Sequence, residues 1–133
     1  MKPFAIPPDA ERAVIARLTV LLAGRGEDVT VGLNVPAIWA KGTKPHVQVG
    51  LDGTTVEYPV LWRSSVRITV WYESPTTAKR IALLCEALLI TYGVPGASNV
   101  QSRTGLIPAL DPDTKAQLAS VGLFVNLRGV VQV

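Results

Sequence analysis

The chain is poor in the residues that most often carry chemistry: one cysteine, one histidine and one methionine in 133 residues, with aromatics at 6% and charged residues at 17%. Cys85 alone cannot close an internal disulfide, so nothing points to secretion and a reducing cytoplasm is the expected compartment. His46 and Cys85 together fall short of the three or four converging ligands that a zinc site needs. Long apolar runs are lacking as well. The most apolar helical stretch, Ile81 to Ile90, is about ten residues, is interrupted by Glu86, and falls short of the ~20 needed to cross a bilayer. Met1 to Pro8 carries one lysine and three prolines but no apolar run of the signal-peptide kind. No long run of one charge occurs: 13 Lys and Arg against 10 Asp and Glu leave +3, scattered from Lys2 to Arg128, which is not the profile of a strong nucleic-acid binder. Internal repeats and low-complexity segments are absent from the sequence.

What is present is apolar. Hydrophobic residues make up 48%, enough for a chain of this length to fold around its own core, and 133 residues amount to one domain, 1–133, with 1–8 as an N-terminal arm. Asp9 is placed to cap a helix through Ala10, Val14, Leu18 and Leu21 that stops at Gly24. Val29 to Val35 reads as a strand, followed by a polar loop, Pro36 to Pro45, around an exposed-looking Trp39. His46 to Leu51 and Thr54 to Val60 read as a hairpin turning at Asp52-Gly53. Arg63 to Glu73 alternates as a central strand, with Val66, Ile68, Val70 and Tyr72 on one face and Arg67, Thr69 and Trp71 on the other. Ser74 and Pro75 open a second helix whose apolar stripe is Ala78, Ile81, Ala82, Cys85, Leu88, Leu89 and Tyr92, ending before Gly93. Val100 to Leu110 and Ala119 to Val131 read as strands joined by a turn at Asp111-Pro112-Asp113-Thr114. The order gives an α+β fold: an antiparallel sheet with two main helices on one face.

The usual catalytic arrangements are missing. A Cys85–His46 pair is formally available, but Cys85 falls in the apolar stripe of a helix, where a thiol acts as a small hydrophobe, and His46 reads as a strand-terminal residue after Pro45. Gly24-Arg25-Gly26 and Gly42-Thr43-Lys44 lack the spacing of phosphate-binding loops and read as turns. Asp111 and Asp113 are the closest carboxylates, and turn chemistry accounts for both. No serine lies in a G-x-S-x-G setting. The chain is therefore expected not to be an enzyme and to carry no cofactor and no catalytic or metal residue. Lys41 and Lys44 flank Trp39, and Arg63 and Arg67 share a strand with Trp71, an interleaving that can grip single strands. The low aromatic content and the nearby Glu57 and Glu73 argue against it.

Apolar residues remain after one small core is filled. Leu83, Leu84 and Ile90 lie outside the main helical stripe, and Trp71 and Phe124 occupy outward strand positions. Such surplus marks protein interfaces, so assembly is the activity the composition supports, against the alternative of a helix buried on more than one side.

The order of elements resembles a known family. The Pro-Asp-Ala-Glu-Arg-Ala-Val helix start, the Pro-His-Val-Gln-Val strand, the Arg-x-x-Val-Arg-Ile-Thr-Val-Trp strand, the Ser-Pro-Thr-Thr-Ala helix start and the Leu-Asp-Pro-Asp-Thr turn carry the resemblance, from about Asp9 to Arg128. Together they are similar to the tail terminator, or tail-completion, proteins of long-tailed bacteriophages, particularly those infecting actinobacteria. The resemblance implies a structural virion protein that forms a hexameric ring on the finished tail tube, stops addition of tube subunits and offers a surface to the neck. Its partners would be further copies, the major tail tube protein and a neck or head-to-tail stopper protein, with DNA only as passing cargo and no membrane. Its place would be the tail-neck junction of the virion, reached from the host cytoplasm during assembly. On this reading Trp39, Lys41, Lys44, Trp71, Leu84, Arg103 and Phe124 are expected at subunit or tube contacts, and Arg103 and Arg128 near the lumen. The alternatives are another head-to-tail connector and, outside virions, a binding module or small enzyme.

Overall fold

Helix starts and stops are chemically marked, and the elements follow them. The computed structural model describes residues 2, 4–35, 39–57 and 61–132. Its elements are β1 (Phe4–Ile6), α1 (Ala10–Gly24), β2 (Thr30–Gly32), β3 (His46–Glu57), β4 (Leu61–Tyr72), α2 (Pro75–Tyr92), β5 (Ala97–Leu110), β6 (Gln117–Arg128) and β7 (Val130–Gln132). The Asp9 carboxylate accepts the Arg12 N–H at 3.0 Å, satisfying one of the orphan donors at the start of α1. Ser74 does the same for Thr77 at the start of α2, with Pro75 in the first turn where its missing N–H costs nothing. α2 ends on Gly93, and Arg17 of α1 donates to the carbonyls of Gly93 at 3.1 Å and Tyr92 at 3.3 Å, placing a cation on the negative end of α2.

The main sheet has five strands in the order β2-β3-β4-β6-β5. All its pairings are antiparallel except the short one between β2 and β3, which is parallel, so the sheet is mixed and mostly antiparallel. β4 and β6 pair over twelve residues each, from Leu61 with Arg128 to Tyr72 with Gln117. α2 connects β4 to β5 with β6 lying between them, a split helical crossover. β1 and β7 form a separate antiparallel pair, which brings part of the expected N-terminal arm against the last strand. Gly129 links β6 to β7 where a Cβ would run into the Trp62 ring.

Alternation sends one side of the sheet to the helices. Val47, Val49, Val66, Ile68, Val70, Ala119, Val121, Leu123 and Val125 are buried in one cluster with Val14, Leu18 and Leu22 of α1 and Ile81, Ala82, Cys85 and Leu89 of α2. Each large aliphatic side chain so enclosed contributes about 1.5–3 kcal/mol relative to exposure. This is the α+β arrangement expected, with both helices on one face.

Several expectations are corrected. Asp52-Gly53 is not a hairpin turn: β3 runs on to Glu57 opposite Leu61, with a register shift between Leu51 and Gly53 that makes a bulge. The β3–β4 connection includes residues 58–60, outside the described residues, as does the far end of the expected returning strand. The strand expected over Val29 to Val35 shrinks to β2. Trp39 is buried, at 8% exposure, and described residues on either side of it are tied to neighbouring elements: Gln48 Nε2 reaches the Leu33 carbonyl at 3.3 Å and the Gly42 N–H reaches Glu73 at 3.2 Å. Leu84 is half-buried against the core rather than outward, whereas Tyr92, expected in the buried stripe, is 59% exposed at the last turn of α2. The turn at Asp111 closes with a Lys115 N–H to Asp111 carbonyl bond of 2.9 Å and Lys115 at φ 64°, one residue longer than a type I turn.

Candidate interaction surface

Among the described residues no helix covers the second face of the sheet at β4 and β6, and this face carries a polar network. From β4 it presents Arg63, Ser65, Arg67, Thr69 and Trp71; register sets these opposite Asn126, Phe124, Gly122, Ser120 and Leu118 of β6. Arg63 lies over the Phe124 ring with its guanidinium carbon 4.7 Å from the centroid, and donates to Asn126 Oδ1 and Gln101 Oε1, both at 3.3 Å. The Arg103 guanidinium is 5.9 Å from the same ring. Asn126 also donates to Asn99 Oδ1. Thr69 and Ser120 hydroxyls meet at 3.0 Å, and the Trp71 indole N–H donates to Gln48 Oε1 at 3.0 Å.

The β3 bulge delivers Asp52 to this face. Its carboxylate takes Arg67 at 3.1 Å and Arg103 at 3.3 Å, two guanidiniums on one carboxylate. Arg103 itself lies at a register shift in β5, between Ser102 and Thr104. Next to the pair is a cleft of about 30 Å³ lined by Arg67, Arg103, Thr104, Ile107, Ser120, Val121 and Gly122.

The other expected surface residues scatter. Lys41 is exposed; Lys44 is exposed and pairs with Asp28 at 3.1 Å; Arg128 is exposed at the end of β6. Trp71 and Phe124 are half-buried on the open face, and Arg103 beside Phe124 is exposed. Trp39 is buried, and Leu84 is half-buried against the core. A separate apolar strip runs along the outer helix surface, with Leu83 48% and Ile90 44% exposed on α2 and Val20 63% exposed on α1.

The groups weighed for catalysis are not brought together. Cys85 is in the core under α2, while His46 pairs by register with Trp71 on the opposite side of the sheet. Burial pushes the Cys85 thiol up to about 12, which leaves it protonated and unreactive. His46 Nδ1 meets the Thr30 hydroxyl at 2.6 Å, and removal from water lowers its pKa against a smaller opposing effect of the Asn34 backbone. Asp111 Oδ2 accepts from the Thr114 hydroxyl at 2.6 Å and its N–H at 2.8 Å, bonds that hold the carboxyl below its ordinary range and fix the turn. Among the described residues no three His, Cys, Asp or Glu side chains are grouped to hold a metal.

Asp52 is not legible in the sequence as a group of this face, because Asp-Gly is a turn signal. The Arg63–Arg67 spacing was its visible half, since residues four apart on a strand share a face. The other half, Arg103 with Asp52, depends on two bulges that no local pattern encodes.

Comparison with known proteins identifies the fold. The chain is similar to a chain in a solved structure described as the virion of a native gene transfer agent particle, with a TM-score of 0.61 and 16% identity over 90% of this chain and 95% of that one. The likeness is one of fold across nearly the full length of both. No protein-family model matches the sequence, and no curated protein matches it.

Proposed function

We propose that the chain is a structural virion protein and that it closes a phage tail tube as a hexameric ring, ending tube growth and presenting a surface to the neck. The observation that carries this reading is the near end-to-end fold likeness to a chain of a phage-like virion particle, joined to the order of sequence elements typical of tail terminators. A ring of identical subunits needs two different, complementary patches on each copy. The sheet offers such a pair. Among the described residues β3 has no neighbour beyond β2 from Val49 to Glu57, and β5 has none on its outer side. These strands run in opposite directions, so rotation about an axis along the strands sets β5 of one copy antiparallel to β3 of the next.

Within this reading Lys41, Lys44, Trp71, Arg103 and Phe124 remain proposed contact residues for neighbours or tube, with Arg103 and Arg128 toward the lumen. Leu84, half-buried, is joined by the exposed Leu83 and Ile90 in the proposed apolar helix contact, and Trp39 acts by shaping its loop from within. The protein has no catalytic task in this reading; its work is done by placement in the assembly.

Electron microscopy of a lysate in which only this gene is disrupted tests the proposal. Overlong, headless tubes are the expected result. Headless tails of normal length would make the chain a neck connector instead, and intact infectious particles would remove it from the virion altogether.

A further inference from the structure

β2 is held to the main sheet by very little. It pairs over three residues, Thr30 to Gly32, and with β3 alone, whereas β4 and β6 share twelve. Its hold on β3 centres on His46. The Thr30 N–H donates to the Pro45 carbonyl at 3.0 Å, the Thr30 hydroxyl meets His46 Nδ1 at 2.6 Å, and Gly32 lies against the ring, where a Cβ would stand 3.7 Å from Cε1. His46 is 4% exposed, although Thr30 beside it is exposed and Val31 and Gly32 are half-buried. Its Nε2 is buried with no hydrogen bond among the described residues. The ionisable groups on the segments around it are engaged elsewhere or face water. Asp28 and Lys44 are exposed and paired with each other, Lys41 is exposed, Glu73 is exposed and accepts from the Gly42 N–H, Arg67 is held by Asp52, and Tyr72 packs on the core. No charged neighbour is among the causes acting on the imidazole, which are loss of water and, against it, the Asn34 backbone.

We propose that β2 is an acid-released clasp: when His46 takes up a proton, β2 lifts from the edge of β3 while the rest of the sheet and both helices stay folded. An imidazolium donates from both nitrogens and carries a charge, and here the Thr30 oxygen serves one nitrogen while no carboxylate among the described residues is bonded to the ring. Water must then reach the ring, and releasing three paired residues uncovers it with far less disruption than opening the twelve-residue pairing of β4 with β6. Val29 and Val31, half-buried against the core, keep the clasp shut while the ring is neutral. Because the shut form binds the proton less readily than the open one, opening is favoured as pH falls below 6.5 and disfavoured above it. Opening lengthens the unpaired edge of β3 from Val49–Glu57 to His46–Glu57. That this edge meets a neighbour's β5 rests on the tail-closing reading, whereas the opening itself does not.

Amide hydrogen exchange of the full chain, followed residue by residue by NMR with each rate divided by its intrinsic rate at that pH, tests the proposal. The chain has one histidine, so the imidazole titration seen in the same samples belongs to His46 alone. The Thr30 amide is expected to be less protected than the amides of β4 and β6 throughout. Its protection should fall as pH drops below 6.5, by at most about tenfold per pH unit, and level off at the imidazole midpoint, so that the gap between 6.5 and that midpoint sets the whole drop. His46→Gln keeps a hydrogen-bonding side chain that does not titrate, and Thr30 protection should be flat with pH in it. If that variant does not fold, the match between drop and midpoint in the parent decides alone. The proposal is overturned if Thr30 is as protected as β4 and β6, because β2 then opens only with the whole fold. It is overturned equally if Thr30 protection is flat while His46 titrates, because β2 then frays without uncovering the ring, or if the fall persists in His46→Gln. Tail length in the gene-disrupted lysate is independent of all these outcomes, so failure here leaves the tail-closing reading intact.

Discussion

Cys85 and His46 are the chain's single thiol and single imidazole, and both are buried. For His46 this has a consequence in solution. Its folded pKa lies below the ordinary 6.5, with loss of water as the leading cause, so the unfolded chain binds the proton more readily than the folded one. The contribution of neutral His46 to stability is therefore complete above 6.5 and is lost as pH falls through that value toward the lower folded one. Guanidinium melts should show stability flat down to about pH 7 and declining toward about pH 5, with the decline reduced in His46→Gln. A flat profile through this window in the parent protein would contradict the buried, neutral imidazole. Glu27, held low chiefly by its Arg80 hydrogen bonds, and Asp111, held low by Thr114, titrate below their ordinary 4.5 and 3.8 and do not mask the window. The burial of Cys85 was legible from its place in the helical stripe. That of Trp39 was not, because no local period within its polar surroundings marks it.

Elements were legible where chemistry is local. Both helix starts, the stop at Gly93 and the two-residue alternation of β4 and β6 are written in neighbouring residues, and the structure has them, although the strand expected to run on to Val131 ends at Arg128 and continues after Gly129 as β7 in the other sheet. Gly93 shows how exact such a stop is. It sits at φ 71° and ψ −174°, a conformation held almost solely by glycine, and a Cβ there would meet nothing within 4 Å. Gly93→Ala should therefore cost about 1–3 kcal/mol from backbone strain alone, read as a lowered denaturation midpoint at unchanged m-value. A neutral substitution would show that the chain end of α2 and its Arg17 contact are differently arranged. The β3 bulge illustrates the opposite case. Asp52-Gly53 is a turn signal by composition, but β4 supplies partners as far as Leu61, and two arginines supply counter-charges for Asp52; tertiary pairing overrides the local preference. The parallel placement of β2 likewise depends on a long-range pairing with His46 to Gln48, which no run within residues 29–35 announces.

For the whole molecule, the expected apolar surplus divides into a buried part and an exposed part. Leu84 is half-buried against the core; Leu83 and Ile90 belong to the second, on a helix surface with no partner among the described residues. Leu83→Asp should leave the melting of the isolated protein within about 0.5 kcal/mol of the parent, because the position is exposed, while reducing assembly into rings as seen by mass photometry or in reconstituted tails. Loss of folding would instead mean that Leu83 belongs to the core, and unchanged assembly would remove this face from the subunit contact. The open sheet face and the two strand edges are properties of this same scale. They arise only when β3, β4, β6 and β5 stand side by side, which is why composition alone suggested assembly without locating its surfaces.

The central claim, a ring at the end of a tail tube, is tested most directly by cryo-electron microscopy of the complete particle at the tail-neck junction. The expected result is a single six-fold ring at the head-proximal end of the tube, each subunit fitting this mixed sheet with its two helices. Density for the chain in the neck above the tube, at the distal tip, or nowhere in the particle would contradict the account.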